Sequence, residues 1–381
     1  MAEYTGGSVT TYYVSGGDAL ASDSNAGTET TVTGRGAGPW ETIQKAFDKI
    51  ADGTIVDGDE VRIMASKVYH IGVPLTATWD TKEIIITGAT SAASGLVDGT
   101  VVEINGNTAA MDGVTMMHGS VGTLDHTMFA NLYFNAADNA STCVQQSTTA
   151  SHYVNWINCR FSSAKDDGVM IASSNYWSFI NCRFDNNAAV GLHIEGSHFG
   201  MIYKCLFDNN SDRGCRLQGA ARVVENVFYG NSGDGLYTSN SAAVVVNNIF
   251  DSNYDYGYKS EGSGQSVHVG NIYSNNGLDG SGSGIAVGSN AEARHFNSLF
   301  YGNDDGWGYT TGTDHLCLYN SITAGTDPAF LQPAGPTFDF TPTATFNGLG
   351  AGLPTPFAWY GSTADDIGLN KWKSSESISI F

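Results

Sequence analysis

The residues of this 381-residue chain that could do chemistry recur at nearly constant intervals. Met170, His193, Arg216, Tyr237 and Lys259 follow one another at 23, 23, 21 and 22 positions, and two residues beyond each stand Ala172, Glu195, Gln218, Ser239 and Glu261. The double series combines imidazole, guanidinium, phenol, ammonium, amide and carboxylate. Such a set on one surface can hydrogen-bond sugar hydroxyls and stack a ring on an aromatic face, which is the chemistry of glycan binding. The same types could serve a lyase, in which a His or Tyr takes a proton while Arg or Lys neutralises a substrate carboxylate. A formal charge of -21 disfavours a strongly anionic substrate, so binding ranks above catalysis. The expected ligand-binding set is His193, Glu195, Arg216, Gln218, Tyr237, Lys259 and Glu261, with no catalytic residue assigned.

A second row is acidic. Asp166, Asp212 and Asp255 each stand five residues after an aromatic. If one repeat advances about 4.8 Å, neighbours in this row are roughly 9.6 Å apart, at the upper limit for an inverting carboxylate pair. Glu195 and Glu261, three repeats apart, would be separated by roughly 14 Å, too far to cooperate directly. The plainer reading of the row is acidic decoration of turns. No CxxC and no calcium-loop spacing occurs, and there is no GxSxG, HExxH or phosphate loop, so neither a metal nor another cofactor is expected.

These rows need a repeating scaffold, and residues 156 to 303 supply one. Phe161, Phe184, Phe207, Phe228, Phe250, Tyr273 and Phe300 recur every 21 to 27 residues. Two positions earlier stand Cys159, Cys182, Cys205, Asn226, Asn248, Asn271 and Ser298, and three positions later Asn187, Asn210, Asn231, Asn253, Asn276 and Asn303. A glycine then opens a short alternating run such as GVMIA, GLHIE or GCRLQ. Nothing in the unit is apolar at helical spacing, and one unit cannot bury its own apolar side chains. Stacked copies can, each strand pairing in parallel with its equivalent one coil on, so that like positions form ladders. The expected fold is therefore all-β: a parallel β-helix of about ten coils, with the Cys-then-Asn series as one interior ladder.

Alternation in the glycine runs predicts Val169, Ile171, Leu192, Ile194, Cys215 and Leu217 inside, which puts the polar double series outside. The same alternation carried back from Cys159 through Ile157, Ile180 and Val224 predicts a third row, Trp156, Phe179, Ile202, Val223, Val245, His268 and His295, facing outward. Such an exposed apolar stripe would require a cover, either a homotrimeric partner or residues 331–381. Upstream, Ile43, Ala46, Phe47 and Ile50 share one helical face and Gly53 marks a stop, so a short amphipathic helix is expected to cap the open end of the core. Insertions are expected between Phe134 and Phe161 and at GLDGSGSG, 277–284.

Residues 11–65 also resemble a known group. Tyr12, Tyr13, Val14, Ser15, Asp18, Gly27, Thr28, Pro39, Trp40, Thr42, Ile43, Gln44, Ala46, Gly58, Asp59, Val61 and Ile63 follow the opening pattern of many right-handed parallel β-helix proteins of the pectate-lyase-like superfamily. Asp327, Pro328, Phe330, Gly350, Ala351, Gly352, Asp366, Ile367 and Gly368 resemble its closing pattern. The resemblance implies right-handedness. The chain is expected to divide into a lead segment at 1–37, a cap and irregular coils at 38–130, regular coils at 131–325 and a closing segment at 326–381. Its members include lyases, glycoside hydrolases, epimerases, phage tailspikes and adhesins, so fold alone does not select an activity.

Composition narrows the rest. With 17 Lys+Arg against 38 Asp+Glu, nucleic acid and anionic membrane surfaces are poor partners. The 41% hydrophobic content, regularly patterned, excludes disorder. Six cysteines lack a disulfide framework and read as small buried residues. MAEYTGGSVTTYY has no basic region and no apolar run, so neither a cleaved signal nor a membrane span is expected. The combined expectation is a virion-associated or surface-exposed adhesion protein recognising glycan, with other virion proteins or copies of itself as partners. The alternative is a polysaccharide lyase or glycoside hydrolase.

Overall fold

A computed structural model describes residues 9–304 apart from 17–20, 29–37, 65–67, 80–81, 89–101, 120–125, 147–151, 173, 197–198, 279, 281 and 289. Beyond 304 it describes the backbone of five short strands between 309 and 342. The chain winds into three parallel sheets of 12, 10 and 11 strands, each strand bonded to its equivalent one coil away. The first sheet contains Asn155–Ile157, Ser178–Ile180 and Gly200–Tyr203; the second contains Val169–Ala172, Leu192–Glu195 and Cys215–Leu217; the third contains Arg160–Ser162, Arg183–Asp185 and Leu206–Asp208. The closing pattern from Asp327 to Gly368, and any coverage by residues 331–381, lie almost wholly outside the described residues.

An aromatic stack and two amide ladders hold the coils in register. Phe184, Phe207, Phe228, Phe250 and Tyr273 stack with ring centroids 4.8, 4.7, 4.8 and 4.9 Å apart, nearly parallel. Cys159, Cys182, Cys205, Asn226, Asn248, Asn271 and Ser298 are all fully buried, as the spacing predicts. Asn226 Nδ2 donates to Asn248 Oδ1 at 3.0 Å and Asn248 Nδ2 to Asn271 Oδ1 at 3.0 Å, while each amide also reaches a backbone carbonyl. The recurrent asparagines after the aromatics form a second ladder, from Asn187 through Asn210, Asn231, Asn253 and Asn276 to Asn303, with links of 2.9 Å. Buried amides are tolerated here because every donor finds an acceptor one coil away.

The glycine that opens each second-sheet strand has a steric cause. A Cβ on Gly168, Gly191, Gly214, Gly235 or Gly257 would lie 2.6–2.8 Å from the carbonyl oxygen of the next glycine in the stack. Adjacent coils approach too closely at this bend for any side chain.

The N-terminal helix, Ile43–Ala51, buries Ile43, Ala46, Phe47 and Ile50 against the first coils. Its N-cap Thr42 accepts from Lys45 N, and Asp23 accepts from the backbone of Glu41 and Thr42. Trp40, buried and stacked on Tyr12 at 5.4 Å, donates its indole N–H to Asn25 O. The opening pattern is thus a fold-back that seals the barrel mouth.

One expectation is overturned. Trp156, Phe179, Ile202, Val223, Val245, His268 and His295 are at most 1% exposed and line the core. The outward residues beside them are Asn155, Ser178, Met201, Arg222, Val244, Val267 and Arg294, in register with one another. The reason lies in the bend between the first and third sheets. Asn158, Asn181, Lys204, Glu225, Asn247 and Asn297 all adopt φ of 51–56°. One left-handed residue resets the in–out alternation, so parity cannot be carried across it. The stripe needs no cover, and it gives no ground for a trimer.

Candidate functional site

The outer face of the second sheet brings the predicted row together. Gln145, Met170, His193, Arg216, Tyr237 and Lys259 are consecutive register partners. Glu195 pairs with Ala172, and Glu261 with Ser239, in the row beside it. Gln218 follows directly on its strand and donates its backbone N–H to Ile194 O. Arg216, Tyr237, Lys259, Gln218, Glu195 and Glu261 are half-buried, whereas His193 is 8% exposed.

Ionic contacts brace the row from the neighbouring turns. Tyr237 Oη donates to Glu261 Oε2 at 2.8 Å, and Lys259 Nζ meets Glu261 Oε1 at 3.0 Å; these partners hold the Glu261 carboxyl below its ordinary range despite burial. His193 Nδ1 lies 2.8 Å from Asp167 Oδ2, whose other oxygen accepts from Val190 N. His193 Nε2 lies 3.1 Å from Glu195 Oε1 but off the hydrogen-bonding direction, so the contact is ionic at most. Arg213 bridges Asp212 and Asp234 at 2.9 and 3.0 Å and places its guanidinium 4.5 Å from the Tyr237 ring centre. Arg216 and Lys259 each lie 6.0 Å from the same ring. Cations therefore occupy the faces of Tyr237, and the polar row offers a sugar hydrogen bonds more than a stacking platform.

Asp234 is buried, with Oδ1 unpartnered, and burial pushes its carboxyl up to about 6 against the pull of Arg213. Arg213, Asp167 and Asp234 escaped the sequence reading. All three precede the invariably placed glycine of a coil, a position whose recurrence is visible but whose residue type changes from coil to coil.

The acidic row is also in register. Ala189 N donates to Asp166 O, Asp212 N to Ala189 O, Gly233 N to Asp212 O and Asp255 N to Gly233 O, so its members are two coils apart as expected. Asp212 is paired with Arg213, while Asp166 is exposed. Among the described residues no group of three or more His, Cys, Asp or Glu is placed to hold a metal ion.

Three parallel sheets wound around stacked aromatic and asparagine ladders define a parallel β-helix protein. The chain belongs to the right-handed β-helix region family, whose model matches residues 72–221 and again 112–272. No curated protein matches the sequence. Solved structures share the fold. Pectate lyase Pel9A is 14% identical with a TM-score of 0.50, the match covering 95% of this chain and 96% of that one. ORF18 of Geobacillus virus E2 is 13% identical at 0.53, covering 82% of this chain and 60% of that one. XylC in complex with xylose is 10% identical at 0.52, covering 86% and 88%.

Proposed function

We propose that this chain is a virion-associated or surface-exposed adhesion protein, of the phage tailspike or decoration kind, that recognises glycan through the outer face of its second sheet. The observation that carries the reading is the in-register row of buried His193 and half-buried Arg216, Tyr237 and Lys259 on the outer face of that sheet, with His193, Tyr237 and Lys259 braced by ion pairs and hydrogen bonds. Pre-set polar groups lose little freedom when a ligand arrives. The strong negative charge suits a protein that keeps its copies apart in solution. Among the described residues no helix is long and apolar enough to cross a membrane. Proteins that share the fold include one of a virus and others described as a pectate lyase and a xylose complex, which supports a glycan-related role. A Tyr237→Ala, Lys259→Ala double variant should melt like the parent and lose attachment to cells or polysaccharide. Attachment at the parental level would move the binding face elsewhere.

A second reading, a polysaccharide lyase or glycoside hydrolase, draws on one feature. His193 stands between Asp167 and Glu195 with Arg216 as its register neighbour, so a base and a cation are adjacent. Purified protein that releases oligosaccharide ends from a polysaccharide, with the release abolished in His193→Gln, would favour this reading over adhesion.

A further inference from the structure

The outer face of the first sheet differs in charge from the rest of the molecule. Its outward row from Asn155 to Arg294 rises six coils, about 29 Å along the axis at the spacing of stacked strands. Two positions on, a parallel row runs from Ile157 through Ile180, Tyr203, Val224 and Val269 to Phe296. Neither row contains an Asp or a Glu. Along the strands from Asn155–Ile157 to Glu292–Phe296 the one acid is Glu292, which Arg294 neutralises at 2.6 Å. Strands of the second sheet, by contrast, carry Glu195 and Glu261, and strands of the third carry Asp185, Asp208 and Asp251. On a chain with 38 Asp+Glu and a formal charge of -21, an acid-poor face of this length is an exception.

The face is also apolar. Val244 and Val267 are 44% and 38% exposed in the middle of their strands, although parallel sheets are ordinarily covered on both sides. Aromatic rings line its edge. His126, Tyr153, Tyr176 and Phe199 stand one or two positions before first-sheet strands of successive coils, with ring centroids 4.7, 4.7 and 5.4 Å apart. All four hold φ between 56° and 60°, a left-handed conformation that bulky side chains rarely adopt. Burial does not account for it, since Tyr153, Tyr176 and Phe199 remain 43%, 45% and 64% exposed. Strain retained at exposed apolar side chains is a mark of function.

Aromatic residues, Met and Arg, with few carboxylates, distinguish a protein interface from the rest of a surface. The charge selects the partner. Copies of so acidic a chain repel each other over most of their surface, and least where both present a face without acids. A face of this kind can meet itself across a two-fold axis without setting carboxylate against carboxylate. Asn155 and Gln265, both outward, offer side-chain oxygens to the exposed Arg222 of an opposing copy.

We propose that the first-sheet face, with the aromatic corner beside it, is a self-association surface that pairs with the same face of a second copy. The inference is independent of the glycan reading, because it uses a different sheet, and charge still keeps copies apart along the other two.

Sedimentation velocity of the full chain over a concentration series should show a reversible dimer. The dimer should strengthen as salt screens the remaining repulsion. A Val244→Glu, Val267→Glu double variant places acids on the face at exposed positions. It should melt like the parent and associate at least tenfold more weakly. Labelling gives a second readout that does not need this variant to fold. A maleimide should modify Val244→Cys at least tenfold more slowly at dimer-forming than at dilute concentration. It should modify Val56→Cys, at a 54% exposed position outside the sheet, equally at both. A parent that stays monomeric at every concentration overturns the proposal. Association unchanged in a folded double variant, or Val244→Cys labelled alike at both concentrations, overturns this face as the contact.

Discussion

Asn248 illustrates how single residues carry this fold. Its Oδ1 accepts from both the backbone N–H and the side-chain Nδ2 of Asn226, and its own Nδ2 reaches Asn271 and Val223 O. Asn248→Leu would leave two buried donors of Asn226 unpaired. The expected cost is about 2–6 kcal/mol, since each orphaned buried group costs about 1–3 kcal/mol, measurable by chemical denaturation. A second residue-scale effect concerns pH. His268 and His295 stack 4.0 Å apart in the core, near Tyr258 and Tyr273. Burial lowers the His295 imidazole to about 3, with both its nitrogens unpartnered. Burial, and then His295, lowers that of His268 well below its ordinary 6.5. A depressed imidazole pKa means that the unfolded chain takes up protons the folded chain refuses. The resulting stability is present above about 6.5 and is lost as pH falls toward 3. His295→Phe should preserve stability at neutral pH and flatten the acid limb of a melting-temperature profile. Asp208 and Asp234, both raised to about 6 chiefly by burial, act in the opposite sense: their contribution is present below about 4 and is lost as pH rises through 6.

At the scale of the element, the capping helix and the glycine bends decide whether coils can begin and stack. Phe47 is 3% exposed and meets Trp79 edge-on at 5.1 Å. Truncating it to alanine should cost about 3–5 kcal/mol and raise dye binding at the opened end of the core. Gly214→Ala would force its Cβ to within 2.7 Å of Gly235 O, so the two coils must part locally; amide exchange around 214 and 235 should quicken even if the melt shifts little. Both elements were readable beforehand, the helix from its apolar face and the bends from the recurring glycine. The inward ladder and the second-sheet row were readable too, because each lies within a single strand where alternation holds. What failed was alternation across a bend. Trp156 and Cys159 are both inward although they stand an odd three positions apart, and the left-handed Asn158 that makes this possible looks like any polar residue in the sequence.

At the scale of the whole molecule, each coil touches mainly its two neighbours, so stability accumulates along one axis. Loosening can then start at an end and travel. The row of buried thiols turns this geometry into a recording. Cys143, Cys159, Cys182, Cys205 and Cys215 are free, fully enclosed and spread over successive coils. Burial pushes the Cys143 thiol up to about 12 and those of Cys159, Cys182 and Cys215 well above their ordinary 9. Closed coils therefore offer an alkylating reagent no thiolate and no path. In the native protein each sulfur becomes a time stamp, labelled when its own coil opens. Mass spectrometry of the order of labelling would distinguish unravelling from one end, with Cys215 and Cys143 reacting at different times, from an all-at-once collapse in which all five react together.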